Sequence, residues 1–145
     1  MRHTVVDGSS MQNTLQNGQH LLISDLFYEA ERGDIVVIQS ADIAIKKPIV
    51  KRIIAVGGDR IKMESGTVYV NDVALEETYV LDGCHFSSVP IDFPEQTVSE
   101  GHVFVLGDHR DRSSDSRVFG EIDERCILGK VYVCIYPFNA IGFPQ

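Results

Sequence analysis

The chain has no tryptophan, only three cysteines, fewer basic than acidic residues, and no apolar run long enough to cross a bilayer. Each shortage excludes something. A membrane-spanning helix needs about 20 consecutive apolar residues, so no helical span is expected in these residues. The opening Met1-Arg2-His3-Thr4 has no apolar stretch after its charge, so no signal peptide is expected within these residues. With 13 Lys and Arg against 21 Asp and Glu, the net charge is −8, the wrong sign for a general nucleic-acid binder. Cys84, Cys126 and Cys134 form no C-x-x-C, so no zinc framework is present. An odd count leaves at least one thiol unpaired. Cys126 and Cys134 read as parts of one strand. Eight extended residues span about 26 Å, against the roughly 7 Å limit between disulfide-linked Cα atoms. Cys84-His85 reads as structural, and neither a metal nor a cofactor is expected.

What is present is a β pattern. The 145 residues, 43% hydrophobic, suffice for one domain with a core, or a core plus a small insertion. Strands are expected over 19–24, 35–38, 49–56, 60–63, 67–70, 73–75, 102–106 and 126–136. Ile35-Val36-Val37-Ile38 is a continuous β-branched run, the mark of a strand covered on both faces. Asn71-Asp72 suits a two-residue hairpin turn. Pro48 cannot donate to a ladder and is expected at a strand start. Residues 76–101 show no sustained period and read as irregular, with at most one strand. No 3.6-residue period persists for three turns, so the chain is mainly β with one or two short helical turns.

Three stretches carry chemistry. Val5 and Val6 run into Asp7-Gly8-Ser9-Ser10-Met11, a small-residue bend that presents the Ser10 hydroxyl as the strand ends. By itself such a stretch is more often a plain loop. Lys51 alternates with Ile49 and Ile53, so it shares their face. Its amine is either desolvated, which lowers its pKa, or snorkels to water along its stem. The loop Gly107-Asp108-His109-Arg110-Asp111-Arg112-Ser113-Ser114-Asp115-Ser116-Arg117 interleaves three Asp with three Arg. That composition suits a self-paired network of bidentate forks. If extended, the segment puts Ser113, Asp115 and Arg117 on one side.

Together these stretches resemble the type I signal peptidases. The segment from Val6 to Leu15 is similar to their serine box, and Arg32-Gly33-Asp34-Ile35-Val36 to the box that follows. Lys51-Arg52-Ile53-Ile54-Ala55-Val56-Gly57-Gly58-Asp59 is similar to the lysine box, and Gly107 through Arg117 to the last. Their order along the chain is more specific than any one of them. Asn13, Ala55, Gly57 and His109 depart from the usual family residues.

The resemblance implies the signal-peptidase and SOS-repressor-protease β fold: coiled antiparallel sheets, few helical turns and a small inserted β region. Residues 1–59 and 102–145 would be the catalytic core, with 60–101 as the insertion. It also implies a Ser10–Lys51 dyad, with Ser113 orienting the amine and Asp115 and Arg117 as a supporting ion pair. Asp108 and Arg110 are further supporting residues. The oxyanion would rest on the Ser10 N–H, with Gly8 where some relatives add a hydroxyl. Val6, Asp7, Pro48, Ile49 and Val50 would bind an extended signal-peptide segment ending in small residues. The implied partners are preprotein substrates and a membrane lipid surface, met by Phe27, Tyr28, Phe138, Ile141 and Phe143, which equally read as core or strand-end residues. The implied place is the extracytoplasmic face of a bacterial cell membrane, with an anchor before residue 1. Two other activities share the fold, a self-cleaving regulator and a non-catalytic assembly chaperone. The first brings a DNA-binding module and a cleavable linker, which are not visible here. The second could dispense with Ser10 or Lys51.

Overall fold

The computed structural model describes residues 1–12, 14–41, 45–80, 92–137 and 141–145. In chain order the strands are β1 (Arg2–Val5), β2 (His20–Ser24), β3 (Ile35–Ser40), β4 (Ile45–Val56), β5 (Arg60–Glu64), β6 (Thr67–Val70), β7 (Val73–Ala74), β8 (Phe93–Thr97), β9 (His102–Leu106), β10 (Ile122–Asp123) and β11 (Ile127–Tyr136). One helical turn, α1 (Ser116–Phe119), and two 3-10 turns, Arg110–Arg112 and Glu124–Cys126, complete the described elements. The pairings are antiparallel throughout. The larger sheet runs β1-β2-β11-β3-β4-β9-β10, and the smaller runs β7-β6-β5-β8.

The sequence pattern explains the layering. All four residues of Ile35-Val36-Val37-Ile38 are buried. Ile35 and Val37 join Val6, Met11, Leu15, Leu21 and Val50 in one cluster. Val36 and Ile38 join Ile53, Val103, Val105 and Ile122 in another, on the opposite face. A third cluster ties the sheets together, with Ile54, Phe104 and Leu106 of the large sheet packed among Ile61, Met63, Val68 and Val70 of the small one. Residues of 60–101 therefore share a core with β4 and β9. The hairpin at Asn71-Asp72 has both residues at positive φ, 52° and 67°, as a tight turn between twisted strands requires.

Two expectations change. Pro48 is not at a strand start but inside β4. Ser40 pairs with Ile45 and Ile38 with Ile49, so one residue of β3 faces three of β4. Pro48 falls in this bulge, where its missing N–H leaves no ladder bond unmade. The charged loop is also not extended to Arg117. Ser113 is extended, but Asp115 caps α1 and Arg117 lies within that turn.

β9 pairs with β4 only from Arg52 onward. Lys46, Lys47 and Pro48 are exposed, and this stretch of β4 keeps an unpaired edge among the described residues.

Candidate active site

Ser10 lies five residues past the end of β1, in a turn rather than at the strand's end. The bend is polar, but its flanks are not. Val6, Met11 and Leu15 are 5%, 1% and 1% exposed, and the Leu15 N–H closes a turn onto the Met11 carbonyl at 2.8 Å. Burial of these side chains, worth about 1.5–3 kcal/mol each, pins the turn to the core beneath it. Gly8 adopts φ +103°, a conformation costly for residues bearing a Cβ. Its N–H donates to Asn17 Oδ1 at 2.9 Å. The Ser10 N–H has no partner among the described residues.

Lys51 rises from β4 on the face of Ile49 and Ile53, opposite Val36. It is 3% exposed, so it does not snorkel to water. Its Nζ lies 2.7 Å from Ser10 Oγ. Burial is the largest influence on this amine and holds its pKa at about 8, below the ordinary 10.5. Asp115 and Asp108 pull it up, and Arg117 pushes it down. The charged form loses more by desolvation than the carboxylates return.

The charged loop brings its groups to this amine by a different network from the one expected. Only Asp115 and Arg117 pair within the loop, at 2.9 Å and almost fully buried. Asp108 is fully buried and takes a fork from Arg52 of β4, Nε to Oδ1 at 2.9 Å and Nη2 to Oδ2 at 2.8 Å. The Thr14 hydroxyl also donates to Asp108. Arg110 pairs with Glu77, outside the loop. The Ser113 hydroxyl is buried and makes no hydrogen bond, to Lys51 or to any other described residue. It packs on Gly107, where an added Cβ would lie 2.1 Å from Ser113 Oγ and 2.6 Å from the Ser10 carbonyl oxygen. No side chain fits there, and glycine is required for close approach.

His109 joins loop to bend. Its N–H donates to the Ser10 carbonyl at 2.8 Å, and its Nδ1 lies 3.1 Å from the Ser9 carbonyl. A carbonyl only accepts, so Nδ1 carries the proton. His109 thus aims two donors at the serine bend.

Arg52, Thr14, Glu77 and Tyr79 were not singled out from the sequence. A signal existed for Arg52 alone: an arginine inside a β-branched strand calls for a buried carboxylate partner. The others arrive through chain folding that no local pattern encodes.

A cleft of about 220 Å³ opens beside the serine and the amine. Val6, Asp7, Pro48, Ile49 and Val50 line it, with Gly8, Arg112 and Ser114. Elsewhere, Phe27, Ile141 and Phe143 are 97%, 56% and 79% exposed. Tyr28 is not part of an apolar surface. It packs against the Val36 cluster, and its hydroxyl donates to Asp34 at 2.8 Å. Cys126 and Cys134 are free thiols. Asn13, Cys84, His85 and Phe138 lie outside the described residues. Among the described residues no group of three or more His, Cys, Asp or Glu could hold a metal, and no helix is long and apolar enough to cross a membrane.

Comparisons with known proteins bear on the family and the fold. The family model "Signal peptidase, peptidase S26" matches residues 1–136. The chain is 33% identical to a probable signal peptidase I-2 of Synechocystis, over 94% of this chain and 64% of that protein. It is 36% identical to a signal peptidase I of Bacillus licheniformis, over 94% of this chain and 77% of that one. Among solved structures, a signal peptidase I from Enterococcus faecalis matches with TM-score 0.61 and 30% identity, covering 71% of this chain and 97% of that one. The antiparallel β architecture is common to both.

Proposed function

The chain belongs to the signal peptidase family, peptidase S26, and from that premise we propose that it removes signal peptides from exported preproteins by serine endoproteolysis. Ser10 is the nucleophile and Lys51 the general base. The observation that carries this reading is the 2.7 Å contact between Lys51 Nζ and Ser10 Oγ at a buried amine. A protonated amine donates to the hydroxyl. Once neutral, the amine accepts the hydroxyl proton across the same contact, and a pKa of about 8 leaves about a tenth to a fifth of it neutral near physiological pH.

The steps follow from that contact. Lys51 takes the Ser10 proton as Oγ adds to the scissile carbonyl. The oxyanion that forms sits against the unpartnered Ser10 N–H. The Gly8 N–H is already engaged by Asn17 and contributes no donor there. The Lys51 ammonium then returns its proton to the leaving amine as the C–N bond breaks, leaving an acyl-serine. Water, deprotonated by the same amine, hydrolyses the ester and restores both groups. Asp115 and Arg117 hold the loop that covers the amine. Ser113 stands behind Gly107 and has a free hydroxyl to offer the amine when the cleft is filled.

The substrate is an extended segment that pairs with the open edge of β4 near Pro48, Ile49 and Val50. A cleft of about 220 Å³ suits the small residues of an A-x-A-like site. The extracytoplasmic face of a bacterial membrane is where such segments emerge, and exposed Phe27 and Phe143 suit contact with lipid. Residues 1–59 and 102–145 act as the catalytic core, with 60–101 as an insertion.

The test is cleavage of a preprotein with an A-x-A site in detergent micelles. Ser10→Ala and Lys51→Ala should each lose cleavage while keeping the wild-type circular dichroism. Full activity in either variant defeats the dyad. A cut within the chain itself, with the preprotein left intact, would indicate self-processing instead.

A further inference from the structure

Beyond β7, the chain leaves the small sheet and delivers Glu77 to the far side of the charged loop. The Glu77 carboxylate receives both terminal nitrogens of Arg110, at 3.2 and 2.6 Å, with the two side chains 9% and 8% exposed. The Tyr79 hydroxyl donates to the same carboxylate at 2.8 Å. The Tyr79 ring stacks on the guanidinium of Arg52, 3.8 Å from its centroid, and Arg52 is the partner of Asp108. This short segment therefore engages both arginines that anchor the loop.

Arg110 passes the constraint on. Its Nε donates to the Gly107 carbonyl at 2.8 Å, and its own carbonyl accepts from Arg117 Nη2 at 2.7 Å. The Gly107 N–H donates to Asp115 at 3.1 Å. Gly107 also abuts the Ser10 backbone too closely to admit a Cβ. A fork held by a carboxylate has one orientation. An arginine without one would swing, and the Gly107 carbonyl would lose its donor.

We infer that Glu77 is a positioning residue for the proposed reaction: acting through Arg110, it fixes the loop from Gly107 to Arg117 against Ser10 and keeps water from Lys51. Glu77 touches none of the reacting atoms. The inference rests on the proteolytic reading for its kinetic consequence, but not for its effect on the amine. The charged groups that act on Lys51 are Asp115, Arg117 and Asp108, and all remain when Glu77 is changed. A shift in the amine then reports its hydration.

The experiment uses the full chain and a peptide with an A-x-A site, with Ser10→Ala as the inactive control. Glu77→Gln should lower kcat tenfold or more with KM within twofold. The acid limb of its pH–rate profile should move to higher pH, and the Lys51 amine, followed by NMR titration, should titrate higher as water reaches it. Wild-type kcat together with a wild-type Lys51 titration in folded Glu77→Gln overturns the inference. If that variant does not fold, Glu77→Leu with Arg110→Met removes both charges, a change buried pairs tolerate. Stability restored with kcat still down tenfold supports positioning. Stability and kcat restored together reduce Glu77 to a structural partner and overturn it. Should the wild type cut no peptide, the proteolytic reading fails, and the Lys51 titration in Glu77→Gln still decides the positioning claim.

Discussion

Two lysines stand in one row of the large sheet and behave oppositely. Val36 of β3 is paired with Lys51 of β4 on one side and with Lys130 of β11 on the other. Directly opposed residues share a face, so the two amines start from equivalent places. Lys130 is one-third exposed and lies 2.9 Å from the Asp34 carboxylate, and its bond to Asp34 raises its pKa. Lys51 is buried, its hydrogen bond goes to a hydroxyl, and its pKa falls to about 8. Strand type, register and face are the same. What differs is a carboxylate in bonding range and a loop that shuts out water. The lowered pKa of Lys51 is made by what is kept away from it.

The largest expected effect tests that contrast directly. Lys51→Met should lower cleavage by about 10³-fold or more, the upper range for loss of a general base. Lys130→Met should leave kcat/KM within about twofold. Comparable losses in both variants, measured on one preprotein, would erase the distinction.

Stability should move the other way. A lysine whose folded pKa is lowered weakens the fold wherever the unfolded chain stays protonated and the folded chain resists it. The cost of Lys51 is fully present below about pH 8, shrinks as pH rises from 8, and vanishes above the ordinary value of 10.5. A shift of this size corresponds to about 3 kcal/mol. Lys51→Met should therefore be more stable than wild type at pH 6 by up to that amount, with the gain fading towards pH 10. Urea melts at several pH values check it. A loss of stability at pH 6 would mean that the buried amine is not under strain.

Much of this was legible in the residues. The β-branched run at 35–38, the hairpin at Asn71-Asp72 and the alternation that places Lys51 beside Ile49 and Ile53 are all local patterns. The last holds because burial on a sheet face enforces a period of two. The network behind the loop was not legible. Asp108 finds Arg52 and Arg110 finds Glu77 across separations of 56 and 33 residues, and composition alone suggested partners within the loop. Pro48 was misplaced for a related reason. A bulge depends on two strands whose register differs on each side of it, and one strand's sequence does not contain that.

A third variant sharpens the contrast by giving Lys51 what Lys130 has. Ser10→Asp places a carboxylate beside the buried amine in place of a hydroxyl. A nearby opposite charge favours the ammonium by about 1–3 pH units. The Lys51 titration, followed by NMR, should move up towards that of a paired lysine, with cleavage abolished. An amine still titrating near 8 in this variant would mean that burial alone governs it.

The smallest effect belongs to the exposed partner. Lys130 has a raised folded pKa, so its pair with Asp34 stabilises the fold fully below the ordinary 10.5. That contribution is lost only as pH rises through the higher folded value. Between pH 8 and 10 the two lysines therefore give opposite signatures, with the cost of Lys51 easing while the Lys130 contribution stays flat. Asp34 keeps the Tyr28 hydroxyl and the Glu31 N–H when Lys130 is removed, so little is left unsatisfied. Lys130→Met should cost about 1 kcal/mol or less, independent of pH from 6 to 9. About 0.5 M salt should shrink the difference, because a pair this open is screened. A loss of several kcal/mol, or one indifferent to salt, would place Lys130 with the buried pairs and leave water access unable to explain why its neighbour in the row has the lowered pKa.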